Sequence, residues 1–124
     1  MEKKVLTVHL AEPWYSMIVS ANKMEEYRVI KPYWVARLFQ NNSNIVDVKD
    51  LASCLAGRTD LLKGYINTHR IILKPYTHVL FINGYRKDSP RIEKEIERIT
   101  IGKPKKGLCP DKWLDKEFFI IKFE

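Results

Sequence analysis

Three charged residues, Lys23, Glu26 and Arg28, stand close together in Ala21-Asn22-Lys23-Met24-Glu25-Glu26-Tyr27-Arg28, which runs on through Val29-Ile30. The stretch alternates as a strand does. Side chains two apart in a strand point the same way, so Glu26 and Arg28 share a face with Met24 and Ile30. A carboxylate only accepts hydrogen bonds and a guanidinium donates from a rigid fork. On a cleft wall each would orient the other and present an acceptor beside a set of donors. Lys23 has the opposite parity but stands at the turn into the strand. The same pattern also describes a solvated edge strand, whose charges discourage unwanted pairing. The extended run stops at Lys31-Pro32, where the proline opens a short helix through Leu38. Residues four apart share a helix face, which joins Tyr33 to Arg37 and Trp34 to Leu38. Trp34 and Leu38 are expected to pack, with Tyr33 and Arg37 facing the cleft. A ring beside a guanidinium suits a stacked base and a gripped phosphate, and it equally suits an ordinary cation–π contact.

These side chains need a frame. Val5–Leu10 alternates and contains β-branched Val5, Thr7 and Val8, so it reads as a first strand. A helix is expected to follow, with Pro13 at its first position. Trp14, Met17 and Ile18 recur at i, i+3 and i+4 as the stripe that packs on a sheet, Trp14 as a core aromatic. The helix should end near Ser20, with Asn22 better suited than Ala21 to the left-handed residue after it. Residues 76–82 form an apolar strand followed by the turn signal Asn83-Gly84. Residues 91–101 fit either period: Ile92, Ile96 and Ile99 suit a helix, while the alternating Glu93, Glu95 and Glu97 suit a strand. Residues 117–123 close the domain as a last strand. Between the two halves, residues 41–70 begin Asn-Asn-Ser-Asn and carry Leu51, Leu55, Leu62 and Ile66. They read as one or two short helices broken near Gly57, a helical insertion.

The charged stretch resembles the Gly-x-Lys-x-x-Glu-x-Arg signature of ASCH domains, small members of the PUA-like β-barrel group. Lys23, Glu26 and Arg28 match, and Ala21 stands at the glycine. Lys31-Pro32-Tyr33-Trp34-Val35-Ala36-Arg37-Leu38 resembles a second motif of one branch. Val79 to Tyr85, then Ser89-Pro90-Arg91, and the ending Phe118 to Phe123 resemble the same branch, while 41–70 falls outside it. The resemblance implies that 91–101 is a strand and that Asn83-Gly84-Tyr85 faces the charged motif across a barrel mouth. With the alternating runs at 5–10, 24–30, 76–82, 91–101 and 117–123, the expectation is a mainly β, α+β fold. It would be a single PUA-like domain, a mostly antiparallel barrel of five or six strands, with a helix between the first two strands and the helical insertion.

Composition narrows the partners. The chain has 124 residues, 45% apolar and 30% charged, the balance of one ordinary globular domain. Its formal charge is +7, from 22 basic and 15 acidic residues, which favours polyanions. Gly102 to Pro110 adds Lys103, Lys105 and Lys106 as a basic loop. Cys54 and Cys109 have no ligand spacing and read as free thiols of a reducing compartment. His9, His69 and His78 form no ligand set either, so structural roles are expected and no metal or cofactor. The N-terminus lacks the apolar stretch of a signal peptide, and no run nears the roughly 18 apolar residues of a membrane span. A cytoplasmic protein is expected.

No Ser/His/Asp set, Walker loop or dinucleotide fingerprint is present. Two classes remain. In a binding module, RNA or a nucleotide or nucleoside would meet Lys23, Glu26, Arg28, Lys31, Tyr33, Arg37, Asn83 and Tyr85. A base would stack on Tyr33 or Tyr85. In a small hydrolase, the class implied by ASCH relatives that cleave an acylated cytidine or RNA, Lys23 would be a desolvated base and Glu26 a proton relay. Amidohydrolase-like relatives place a threonine three residues after the lysine; here that residue is Glu26, which favours binding. A cleft for a protein or an anionic metabolite is the remaining reading.

Overall fold

The alternating run Val5–Leu10 is a strand in the computed structural model, which describes residues 2–42 and 47–124. In chain order the elements are β1 (Val5–Leu10), α1 (Trp14–Val19), β2 (Glu25–Arg28), α2 (Pro32–Leu38), β3 (Phe39–Asn41), α3 (Val48–Gly57), α4 (Thr59–Asn67), β4 (Ile71–Leu73), β5 (His78–Asn83), β6 (Arg91–Gly102) and β7 (Phe118–Phe123). They form two compact units. One combines the two ends of the chain, Met1–Tyr27 with Tyr76–Glu124; the other is Arg28–Pro75.

The first unit is built on a five-stranded sheet ordered β1-β5-β6-β7-β2. β6 runs antiparallel to β5 and to β7, with an irregular register between Ile96 and Arg98. β1 and β5 are parallel, Val5 opposite His78 and Leu10 opposite Asn83. A parallel pair needs a long crossover, which the chain between them supplies. The fold is therefore α+β and mostly antiparallel, with a helix between the first two strands as expected. Among the described residues β1 and β2 are the edges of this order, and no ladder closes them on each other. Leu6, Val8, Val79, Phe81, Phe119, Ile121 and Phe123 are buried, and the Phe81 and Phe123 rings lie 4.9 Å apart. A smaller cluster of Tyr27, Cys109 and Phe118 is covered by Leu108, Trp113, Leu114 and Ile120. No helix among the described residues is long and apolar enough to cross a membrane.

Local expectations shift at α1. The helix begins at Trp14, with Pro13 one position earlier than expected, at the N-cap. Its buried residues are Tyr15 and Ile18, three apart, while Trp14 and Met17 are half-buried. The left-handed residue is Ala21, φ 63°, and not Asn22. The reason is hydrogen bonding: Ala21 N–H reaches Ile18 O at 3.1 Å and Asn22 N–H reaches Met17 O at 2.9 Å. That pair of bonds is the Schellman closure, and it forces φ > 0 on the residue after the C-cap whatever its side chain.

In the second unit Pro32 opens α2, and Trp34, Val35 and Leu38 are buried. Asp47 caps α3 by accepting from Lys49 N–H at 2.9 Å, and α3 packs against α2. Arg58, extended at φ −136°, breaks the helices just after Gly57, near the expected place. Leu55 and Leu62 are buried, and Leu51 and Ile66 half-buried. The helices are flanked by an antiparallel pair, Phe39 opposite Leu73, that the sequence reading assigned to no strand. Three residues are too few for alternation to register. α4 ends as α1 does: His69 has φ 57°, with His69 N–H on Ile66 O and Arg70 N–H on Tyr65 O. Ser43 and Asn44, part of the expected turn-rich start, lie outside the described residues.

Candidate functional site

In the first unit, the turn after α1 delivers Lys23 inward. Its side chain is 1% exposed, and its ammonium lies 3.1 Å from Glu26 Oε1, itself on a side chain 6% exposed. The same ammonium donates to the Leu108 carbonyl and stands 4.8 Å from the Trp14 ring centre and 5.1 Å from that of Tyr27. An ammonium has three donors and no acceptor, and here they are met by a carboxylate, a carbonyl and two ring faces. Glu26 Oε1 also accepts from the Tyr27 N–H at 2.8 Å. Met24, of the same strand parity as Glu26, is exposed, so alternation alone does not describe this short strand.

Glu25 and Tyr27, two apart on β2, form a second buried pair that the sequence reading passed over. The Tyr27 hydroxyl donates to Glu25 Oε1 at 2.5 Å and accepts from Lys105 N–H at 3.1 Å. Burial, then the bond to Glu25, pushes the Tyr27 phenol well above its ordinary range, so it stays protonated. Burial likewise raises the Cys109 thiol, which disfavours the nucleophilic thiolate. The i, i+2 spacing of a carboxylate and a phenol was the available signal for Glu25 and Tyr27. Nothing in the sequence pointed to Leu108.

Asn83 and Tyr85 of the same unit have other company. Asn83 Nδ2 donates to Glu12 Oε1 at 2.9 Å. Tyr85, 85% exposed, stacks on His9 with centroids 4.4 Å apart. His9 Nδ1 lies 2.7 Å from the Gly84 carbonyl, which can only accept, so that nitrogen carries a proton. Gly84 holds the turn at φ 101°.

The second unit gathers Arg28, Tyr33 and Arg37 around Trp34. Arg37 lies 5.7 Å over the Tyr33 ring and 5.2 Å over Trp34, and Arg28 lies 5.5 Å over Trp34. Arg37 Nη1 also donates to the Tyr33 hydroxyl at 2.9 Å, the i, i+4 pairing expected of the helix. Trp34 is buried, whereas Tyr33 is 57% exposed. Lys31 is exposed at the extended N-cap of α2. Thus Lys23 meets Glu26 in one unit, Arg28 meets the Tyr33–Trp34–Arg37 set in the other, Asn83 bonds to Glu12 and Tyr85 stacks on His9. Among the described residues no group of three His, Cys, Asp or Glu side chains could hold a metal ion. Compared with protein-family models, with curated proteins and with solved structures, the chain finds no match in any of the three.

Proposed function

We propose that the chain is an ASCH-like, RNA- or nucleotide-binding protein of the cytoplasm, with the PUA-like barrel that the resemblance implies. One observation carries the reading: two guanidiniums, Arg28 and Arg37, lie against the Trp34 ring, and Arg37 also lies over the exposed ring of Tyr33. A guanidinium on an aromatic face keeps its charge and directs its N–H fork in its own plane, the geometry that phosphate oxygens accept. An exposed tyrosine beside it offers a face to a base. The +7 charge supports an anionic partner.

Against this, Lys23 and Glu26 are buried and engaged with each other, a poor starting point for a phosphate clamp or a solvent-linked proton relay. Their geometry supports a structural part in the same protein. The test is a titration of labelled single-stranded RNA at several salt concentrations. Binding should weaken by about 0.7 log units per log unit of salt for each phosphate engaged. Absence of binding at low salt, with turnover of an acylated cytidine by the same protein, would overturn the binding reading in favour of a hydrolase.

A further inference from the structure

After β6 the chain runs Lys103-Pro104-Lys105-Lys106-Gly107-Leu108-Cys109-Pro110, with three exposed lysines and no acidic residue. Pro104 and Cys109 are buried beneath them. The loop is held from inside through its backbone: Lys105 N–H donates to the Tyr27 hydroxyl at 3.1 Å, and the Leu108 carbonyl accepts from the Lys23 ammonium. Within the loop, Leu108 N–H donates to Lys105 O at 3.1 Å, and Gly107 supplies the turn at φ 86°. Cys109 Sγ lies 3.8 Å from the same Lys105 carbonyl. Each anchor is fixed in turn by a carboxylate, Tyr27 by Glu25 and Lys23 by Glu26.

We propose that Lys103, Lys105 and Lys106 form a preorganised phosphate-binding loop for single-stranded RNA, and that Tyr27 and Lys23 are positioning residues that hold it in shape from the buried side. The proposal rests on the RNA-binding reading above. Both anchors act on loop backbone, which leaves the ammonium groups outward; the Lys105 side chain is 68% exposed. Its nearest carboxylate is Glu25 Oε2 at 4.0 Å, a long contact that a phosphate can replace. Fixing a loop beforehand removes an ordering cost that binding would otherwise meet. Sequence distance hides the arrangement, because residues 23 and 27 support residues 105 and 108.

The experiment compares three proteins in a salt titration with labelled oligouridine, together with amide hydrogen exchange at Lys105. Lys103→Gln/Lys105→Gln/Lys106→Gln should lower the log–log salt slope by about 2, at about 0.7 per phosphate lost. Tyr27→Phe keeps all three charges, so its slope should match the wild type. Its affinity should fall about three- to tenfold, the weight of one hydrogen bond, and the Lys105 amide should exchange faster. A triple variant with wild-type slope, while wild type binds, would overturn the loop and leave RNA binding standing. Tyr27→Phe with full affinity, or with unchanged exchange at Lys105, would overturn the positioning role. A wild type that fails to bind at low salt would overturn the functional reading itself, and the loop with it.

Discussion

Lys23 and Glu26 meet at 3.1 Å with both side chains almost wholly removed from water. Two charges taken out of solvent tolerate each other because each offsets the other; removal of one takes the opposite charge away from a group still buried in a poor solvent. Lys23→Met should therefore destabilise the protein by about 3 to 5 kcal/mol in urea unfolding. Lys23→Met combined with Glu26→Leu should recover much of that loss. A single variant of wild-type stability would show that the pair is not closed in solution.

Arg37→Ala and Tyr33→Ala should behave differently from that pair. Tyr33 is largely exposed and Arg37 half-buried, so their loss should move the unfolding midpoint little. Each should weaken RNA binding, Tyr33→Ala by about 1 to 3 kcal/mol if one base stacks on it. Arg37→Ala should also reduce the salt slope by about 0.7. Filter binding with a short RNA at two salt concentrations checks both.

Stability at high pH should depend on Tyr27. Its phenol is raised in the folded protein, so between the ordinary tyrosine range and the folded value the unfolded chain releases a proton that the folded chain keeps. The contribution is fully present below about pH 10 and is lost as pH climbs above it. Tyr27→Phe should flatten that alkaline decline. At 295 nm the wild type should show one phenolate more than the variant only once it unfolds.

Ala21→Gly should stabilise the protein by about 1 kcal/mol. The Schellman bonds hold residue 21 at φ 63°, a conformation that costs an L-residue roughly 1–2 kcal/mol and glycine little. Thermal melts of the two proteins decide it; a lower midpoint for the glycine variant would show that the strain is absent.

Much of the frame could be read from the chain because long alternating runs carry their own burial pattern, as Leu6, Val8 and Leu10 do in β1. Pro32 marked α2 through backbone chemistry that acts locally, and the break in the insertion fell at Arg58, next to the expected Gly57. The parallel pairing of β1 with β5 was not legible, since nothing in either strand encodes direction. At the site, the i, i+4 contact of Tyr33 with Arg37 was visible from spacing. The partners of Lys23 and Tyr27 were not: one bond ends on a backbone carbonyl and the other begins at a backbone N–H, and every residue type but proline has both.

The first unit is assembled from both ends of the chain, and the second is continuous from Arg28 to Pro75. During synthesis β1 emerges first, yet its partner β5 lies more than seventy residues later, with Val5 opposite His78. The continuous segment can reach its own contacts while β1 waits, exposed, for β5. Pulse-labelled refolding should accordingly protect the amides of α3 and α4 before those of β1. For β1, to emerge first is to be paired late.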